Sequence, residues 1–285
     1  MSTCVNDNES IIADYKRILV IGDIHADYQM ILKLLQQFAI IDRNGKWIAN
    51  DTYVVQLGDQ VDGGGRGGND AEGEHEVLEF MDSLHTQAKA YGGAAFSLIG
   101  NHEMMNVMGD FRYASSADVQ ADGGADNRKR KYSPGGILAK RLACSRNAIL
   151  KIGDILFVHG GISKELSADI ETDNGIKFIN TTLRDFLSNK IDAEDPDVKR
   201  LFMDKNSLFW DRSLGKDNVN CDDISYIKHG HIIVGHTPQK EINAKCDGRI
   251  WRTDVGLSKA FGANRHQVLE ITKQRDGTPK FNIMM

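Results

Sequence analysis

The sequence predicts an α/β fold, a βαβαβ core with flanking helices, and a second sheet toward the C-terminus. Three observations carry that prediction. Three short apolar runs, 17–21, 52–57 and 95–99, are each closed by a glycine, as buried strands are. Stretches with helical spacing separate them. Short apolar runs then return at 250–255, 267–271 and 281–284.

Taken in order, Arg17-Ile18-Leu19-Val20-Ile21 is a strand ending at Gly22. Met30, Ile31, Leu34, Leu35 and Phe38 form one apolar stripe of a helix. Residues 52–57 give a strand ending at Gly58, and 74–89 a helix with Val77, Leu78, Met81 and Leu84 on one side. The third strand ends at Gly100. Residues 109–136 are polar and contain glycines, so they read as a loop or cap insertion; the run Arg128-Lys129-Arg130-Lys131 reads as a solvated face. A helix at 137–142, a strand at 154–158, a helix at 177–189 and a short strand at 232–234 follow. With no fixed repeat and no linker, residues 1–16 read as a tail and 17–285 as one domain.

Composition narrows the class. The 285 residues carry 35 Lys and Arg against 40 Asp and Glu, a net charge of −5, which does not suit nucleic-acid binding by bulk charge, and the 41% hydrophobic, 26% charged composition argues against a membrane protein. The polar start reads as lacking a signal peptide, and no apolar run is long enough to span a bilayer. Cys4, Cys144, Cys221 and Cys246 are scattered, without a CxxC pair, and do not look like a disulfide framework. The expectation is a cytoplasmic protein with reduced cysteines.

The polar residues that matter fall where strands end. The strings are Gly22-Asp23-Ile24-His25, Gly58-Asp59-Gln60-Val61-Asp62, Gly100-Asn101-His102-Glu103, Val158-His159-Gly160-Gly161 and Gly235-His236-Thr237. Open α/β sheets bind ligands outside the carboxyl ends of their strands. Carboxylate, imidazole and amide ligands suit Mn, Fe or Zn, and two such ions sharing a carboxylate support in-line displacement at phosphorus. One such string alone is ordinarily a turn or a cap; five at five strand ends are not. His75, His85, His229, His231 and His266 lack this context and read as structural or exposed.

Together the five strings resemble the calcineurin-like metallophosphoesterase superfamily, within it the phosphoprotein phosphatase branch, with its pattern GDxHG, GDxxDRG, GNHE, HGG and GH. The string Gly235-His236-Thr237-Pro238 and the stretch 100–113, GNHEMMNVMGDFRY, look most like Shewanella-like, bacterial-type protein phosphatases. The resemblance implies a two-sheet α/β sandwich with flanking helices and two divalent or trivalent ions. It implies Asp23 and His25 on the first ion, Asp59 bridging, and Asn101, His159 and His236 on the second. His102 would be the general acid and Asp62 its orienting carboxylate. It also implies direct attack of a dimetal-bound hydroxide on a phosphorylated protein or peptide.

Two positions depart from the pattern. Ala26 stands where glycine is usual, and Gly63 stands where a phosphate-gripping arginine is usual. Arg212, Arg66 and Arg112 are the candidate replacements, in that order. The glycine loop 63–68 contains a GxGxxG match but opens no helix, so it is not a dinucleotide loop. The alternatives are a small-molecule phosphoesterase, such as a dinucleoside polyphosphate hydrolase, and an inactive metal-binding scaffold.

Overall fold

The computed structural model describes residues 9–66, 69–262 and 266–285. Residues 1–8 of the expected tail, Cys4 among them, and Gly67 and Gly68 of the glycine loop lie outside the described residues. The strands are β1 Ile11–Ile12, β2 Arg17–Ile21, β3 Thr52–Gln56, β4 Ala94–Leu98, β5 Arg146–Asn147, β6 Ile149–Ile152, β7 Ile155–Val158, β8 His231–Val234, β9 Asn243–Lys245, β10 Ile250–Arg252, β11 Val268–Lys273 and β12 Pro279–Met284. They form two six-stranded sheets, ordered β12-β11-β2-β3-β4-β5 and β1-β6-β7-β8-β10-β9.

In the first sheet β2, β3 and β4 run parallel. In the second, β7, β8 and β10 do the same. The carboxyl ends of six parallel strands therefore open onto one side of the molecule, and this places the site. The C-terminal runs do not build a sheet of their own, as the sequence suggested. β10 extends the second sheet beside β8, whereas β11 pairs antiparallel with β2 and β12 with β11. The expected tail is also partly sheet, since Ile11 and Ile12 pair with β6.

Helices cover the faces. They are α1 Tyr28–Gln37, α2 Glu74–Ala88, α3 Asn101–Val107, α4 Ser116–Ala121, α5 Ala125–Tyr132, α6 Ile137–Ser145, α7 Ser167–Ile170 and α8 Asp173–Leu187. Asp27 caps α1 by accepting from the Met30 amide, and Ile31, Leu34 and Leu35 are buried beneath it. Each such side chain contributes about 1.5–3 kcal/mol of transfer free energy. Along β7, Ile155 and Phe157 join one core with first-sheet residues such as Val20 and Val54. Leu156 and Val158 face the other way, onto Ile176, Ile179 and Leu183 of α8. This two-residue alternation is what a strand buried on both faces requires.

Two expectations are corrected. The polar stretch 109–136 is not a plain loop, and its basic run is not wholly a solvated face. It holds α4 and α5, and Arg128, from the basic run, is fully buried together with Tyr132. A run of four basic residues on a helix points in four directions, and here one of them points inward. The cysteines are not all reduced either. Cys221 and Cys246 are bonded, and no described cysteine is a free thiol. Their 25-residue separation hides the meeting of a turn at 222–224 with the β9–β10 turn. The cytoplasmic expectation rested partly on reduced cysteines, and that premise is removed. Among the described residues, no helix is long and apolar enough to cross a membrane.

Candidate active site

The turns after β2, β3, β4, β7, β8 and β10 crowd together, and their backbones show it. His25, Asp59, Asp62 and His236 all have positive φ, between 44° and 67°, as does Ala26 at 59°. Non-glycine residues held in this region cost on the order of 1–3 kcal/mol each and gather at functional sites. Glycine is required where two turns touch: Gly58 has φ +98°, and a Cβ there would lie 2.6 Å from the Gly100 nitrogen. A Cβ on Gly100 would run into the Asp59 carboxylate.

Asp59 is the centre. His25 Nε2 lies 3.7 Å from its Oδ2 and His159 Nε2 lies 3.4 Å from its Oδ1. The His102 amide donates to Asp59 Oδ1 at 2.9 Å. Two groups of potential ligand atoms share this carboxylate, one of His25, Asp59 and His102, the other of Asp59, His159 and His236. Asn101 Oδ1 is 3.0 Å from His159 Nε2, and His159 Nδ1 is held by the Leu57 carbonyl at 2.8 Å. Asp23 accepts from the His236 amide through both oxygens, at 3.1 and 3.2 Å.

The electrostatics are those of charge packed without solvent. Burial, then the neighbouring Asp254 charge, drives the Asp23 carboxyl well above its ordinary range. Burial, with Asp59 adding to it, raises Asp254 to about 6. Asp59 is itself buried, yet His159 and His102 hold it well below the usual carboxylate range. Burial opposes charge on His159, but Asp59 and Asp23 raise that imidazole to about 10. Burial, then the charges of His159 and Arg212, lower His236 to about 2. His236 Nε2 is buried with no hydrogen-bond partner. Buried carboxylates, imidazoles held on one nitrogen and an orphaned imidazole nitrogen fit a pair of bound cations.

Beside this group stands His102. Its Nδ1 is 2.8 Å from Asp62 Oδ2, and Asp62 is fully buried. A cleft of about 610 Å³ opens over the whole arrangement. Asp23, His25, Asp59, Asn101, His102, His236, Arg66, Arg112 and Arg212 line it. His159 lies deeper, under Asn101, and Asp62 behind His102.

The three arginines stand at different distances from His102. Arg66 Nη2 stands 3.0 Å from His102 Nε2 and 3.2 Å from His25 Nδ1. Its guanidinium lies over the rings of Tyr113 and Phe261, at 4.8 and 5.0 Å. Arg212 donates to the His236 carbonyl at 2.7 Å, at the cleft edge. Arg112 is exposed and paired with Asp110. At Gly63 any side chain would collide with the Ala71 carbonyl. The chain doubles back there, with the Ala71 amide donating to the Gly63 carbonyl at 2.8 Å. A side chain at 63 has no room, while Arg66, three residues on, lines the cleft.

Sequence reasoning gave no role to two residues. Glu103 accepts from the backbone amides of Asp59, Gln60 and Gly100, at 2.6–3.0 Å, and so ties the β3 turn to the β4 turn. Its place three residues into α3 was the available signal. Asp254, after β10, lines the cleft opposite Asp23; only its position at a strand end marked it.

Two carboxylate-imidazole groups sharing one aspartate, at the strand ends of paired α/β sheets, define a candidate dinuclear metal centre. The calcineurin-like phosphoesterase family matches residues 16–240, and the chain belongs to that family. It is therefore an enzyme of the metallophosphoesterase class. An uncharacterized protein of Acanthamoeba polyphaga mimivirus is 33% identical over 69% of this chain and 95% of that one. Shewanella-like protein phosphatase 2 of Arabidopsis thaliana is 28% identical over 90% of this chain and 75% of its own. Among solved structures, the cold-active protein-tyrosine phosphatase of a psychrophilic Shewanella superposes with a TM-score of 0.79. It is 26% identical, and the match covers 99% of this chain and 84% of that one.

Proposed function

We propose that residues 17–285 work as one catalytic domain, a metal-dependent phosphoprotein phosphatase that hydrolyses phosphomonoesters. The observation that carries this reading is the Asp62–His102 pair, at 2.8 Å, beside the Asp59 carboxylate that two groups of potential ligand atoms share. Asp23, His25 and Asp59 would hold one ion, and Asp59, Asn101, His159 and His236 the other. When bound, the ions would lower the pKa of the attacking water and offset charge on the phosphoryl oxygens.

The chain's own residues do the rest. Asp62 holds His102 by Nδ1 and leaves Nε2 facing the cleft, where it would give its proton to the departing oxygen. Arg66, beside both His102 and His25, is the first guanidinium a phosphoryl group brought to His102 would meet. Arg212 would grip from the opposite edge and Arg112 from further out. The arginine contacts position the phosphoryl group and neutralise its charge, which is most of what phosphoryl transfer asks of a protein. Protein substrates are favoured by the relatives named as protein phosphatases.

The test combines metal analysis with turnover of phosphotyrosine and phosphoserine peptides, an aryl phosphate and a dinucleoside tetraphosphate, with and without added Mn. Manganese-stimulated turnover of phosphopeptides is expected. Dominant turnover of the dinucleoside tetraphosphate would replace the reading with a small-molecule one, and no turnover of any substrate would leave a scaffold.

A further inference from the structure

Arg128 is fully buried, although it comes from a run of four basic residues on α5. A buried guanidinium persists only where its donors are matched, and these are. Both terminal nitrogens bond Glu74, one of them also reaching Asp122 at 2.8 Å. Nε donates to Asn106 Oδ1 at 2.8 Å. The Tyr132 ring lies 4.8 Å from the guanidinium carbon, and the Tyr132 hydroxyl also donates to Glu74. Glu74, His75 and Asp122 gather as metal ligands do, but the guanidinium and Lys131 already occupy their carboxylates.

What the network does is visible at Asn106. An amide can face either way, and its two ends are chemically opposite. Because Nε of Arg128 takes the oxygen, Nδ2 must point the other way. It donates to Asp62 Oδ1 and to the His102 carbonyl, both at 2.9 Å. Asp62 Oδ2 is then left for His102 Nδ1. Arg128 Nη2 itself stands 3.7 Å from Asp62 Oδ1. Reversed, the amide would set its oxygen against the Asp62 carboxylate.

We propose that Arg128 is a positioning residue for phosphoryl transfer: through Asn106 it fixes the Asp62–His102 pair in the one orientation that presents His102 to the leaving-group oxygen. The inference rests on the reading of His102 as general acid. Its consequence is selective. A good leaving group needs little help from an acid, whereas a poor one depends on it. Loss of the chain should therefore harm poor leaving groups more than good ones, which a general weakening of the fold would not do.

The experiment measures kcat/KM for phenyl phosphate and p-nitrophenyl phosphate at saturating Mn in the wild type, Arg128→Lys, Asn106→Ala and His102→Asn. Metal content and Tm are measured for each. For Arg128→Lys and Asn106→Ala, retention of two ions is expected, with a fall for phenyl phosphate about tenfold larger than for p-nitrophenyl phosphate. Asn106→Ala breaks no ion pair, so it reads the chain even where Arg128→Lys does not fold. An equal fall for the two substrates in Asn106→Ala, or no fall, overturns the inference. If His102→Asn itself shows no leaving-group dependence, the general-acid reading fails first and the inference fails with it.

Discussion

Two regions meet at His102 and are built on opposite principles. On the cleft side, at a strand end, His236 Nε2 is buried with nothing to bind. Their acidic groups are pushed in opposite directions, Asp23 up and Asp59 down. Behind His102 the wall of Arg128, Glu74, Asp122, Asn106 and Asp62 is equally buried and equally charged, yet none of its side-chain atoms lacks a partner. Buried charge left unsatisfied marks a place for a ligand, and buried charge fully matched holds other groups still. The two are indistinguishable by composition.

The sharpest way to break this contrast is at Asp59, which both ligand groups share. Asp59→Asn should lose bound metal and reduce turnover by orders of magnitude, read by metal analysis beside phosphatase assay; two ions per chain in that variant contradict the shared role. Next is His102→Asn, which stands between the regions. It should keep its metal and lose about 10²–10⁴-fold in kcat, and unchanged turnover removes it from the reaction. Arg66→Ala comes third. Losing a donor aimed at developing charge costs on the order of 10²-fold in kcat. The loss should exceed that of Arg212→Ala, and Arg112→Ala should lose least. The reverse order would restore the ranking suggested by sequence.

The smallest effect tests the wall. Against its burial, hydrogen bonds from His75 and Lys131 and the charge of Arg128 hold the Asp122 carboxyl down at about 2. An unfolded aspartate titrates near ~3.9. A carboxyl depressed in the folded state contributes stability that is present above about pH 4 and is lost as pH falls toward 2. Asp122→Asn should flatten the stability curve in that window, measured by denaturant unfolding. An unchanged slope there would mean the ion pairs contribute nothing.

The two regions also differ in how far the sequence discloses them. Each cleft ligand sits next to a strand end, within a few residues of a glycine, so local strings such as Gly22-Asp23-Ile24-His25 carry it. The wall is assembled from α2, α3 and α5, and nothing local says that Arg128 rather than Lys129 turns inward. Packing decides that. The three parallel strands β2–β4 were legible for the same local reason, as β-branched runs between helical stripes. The split of the C-terminal runs between two sheets, and the Cys221–Cys246 bond, depend on which distant segments meet, and no periodicity encodes that. The collision at Gly63 is likewise a tertiary fact that no local string carries.

The account stands most directly on the metal-binding side of the contrast. Anomalous diffraction from crystals grown with Mn should give two peaks about 3.5–4 Å apart, one on either side of the Asp59 carboxylate. A single peak, none, or ions bound only at outlying carboxylates such as Glu74 and Asp122 would contradict it.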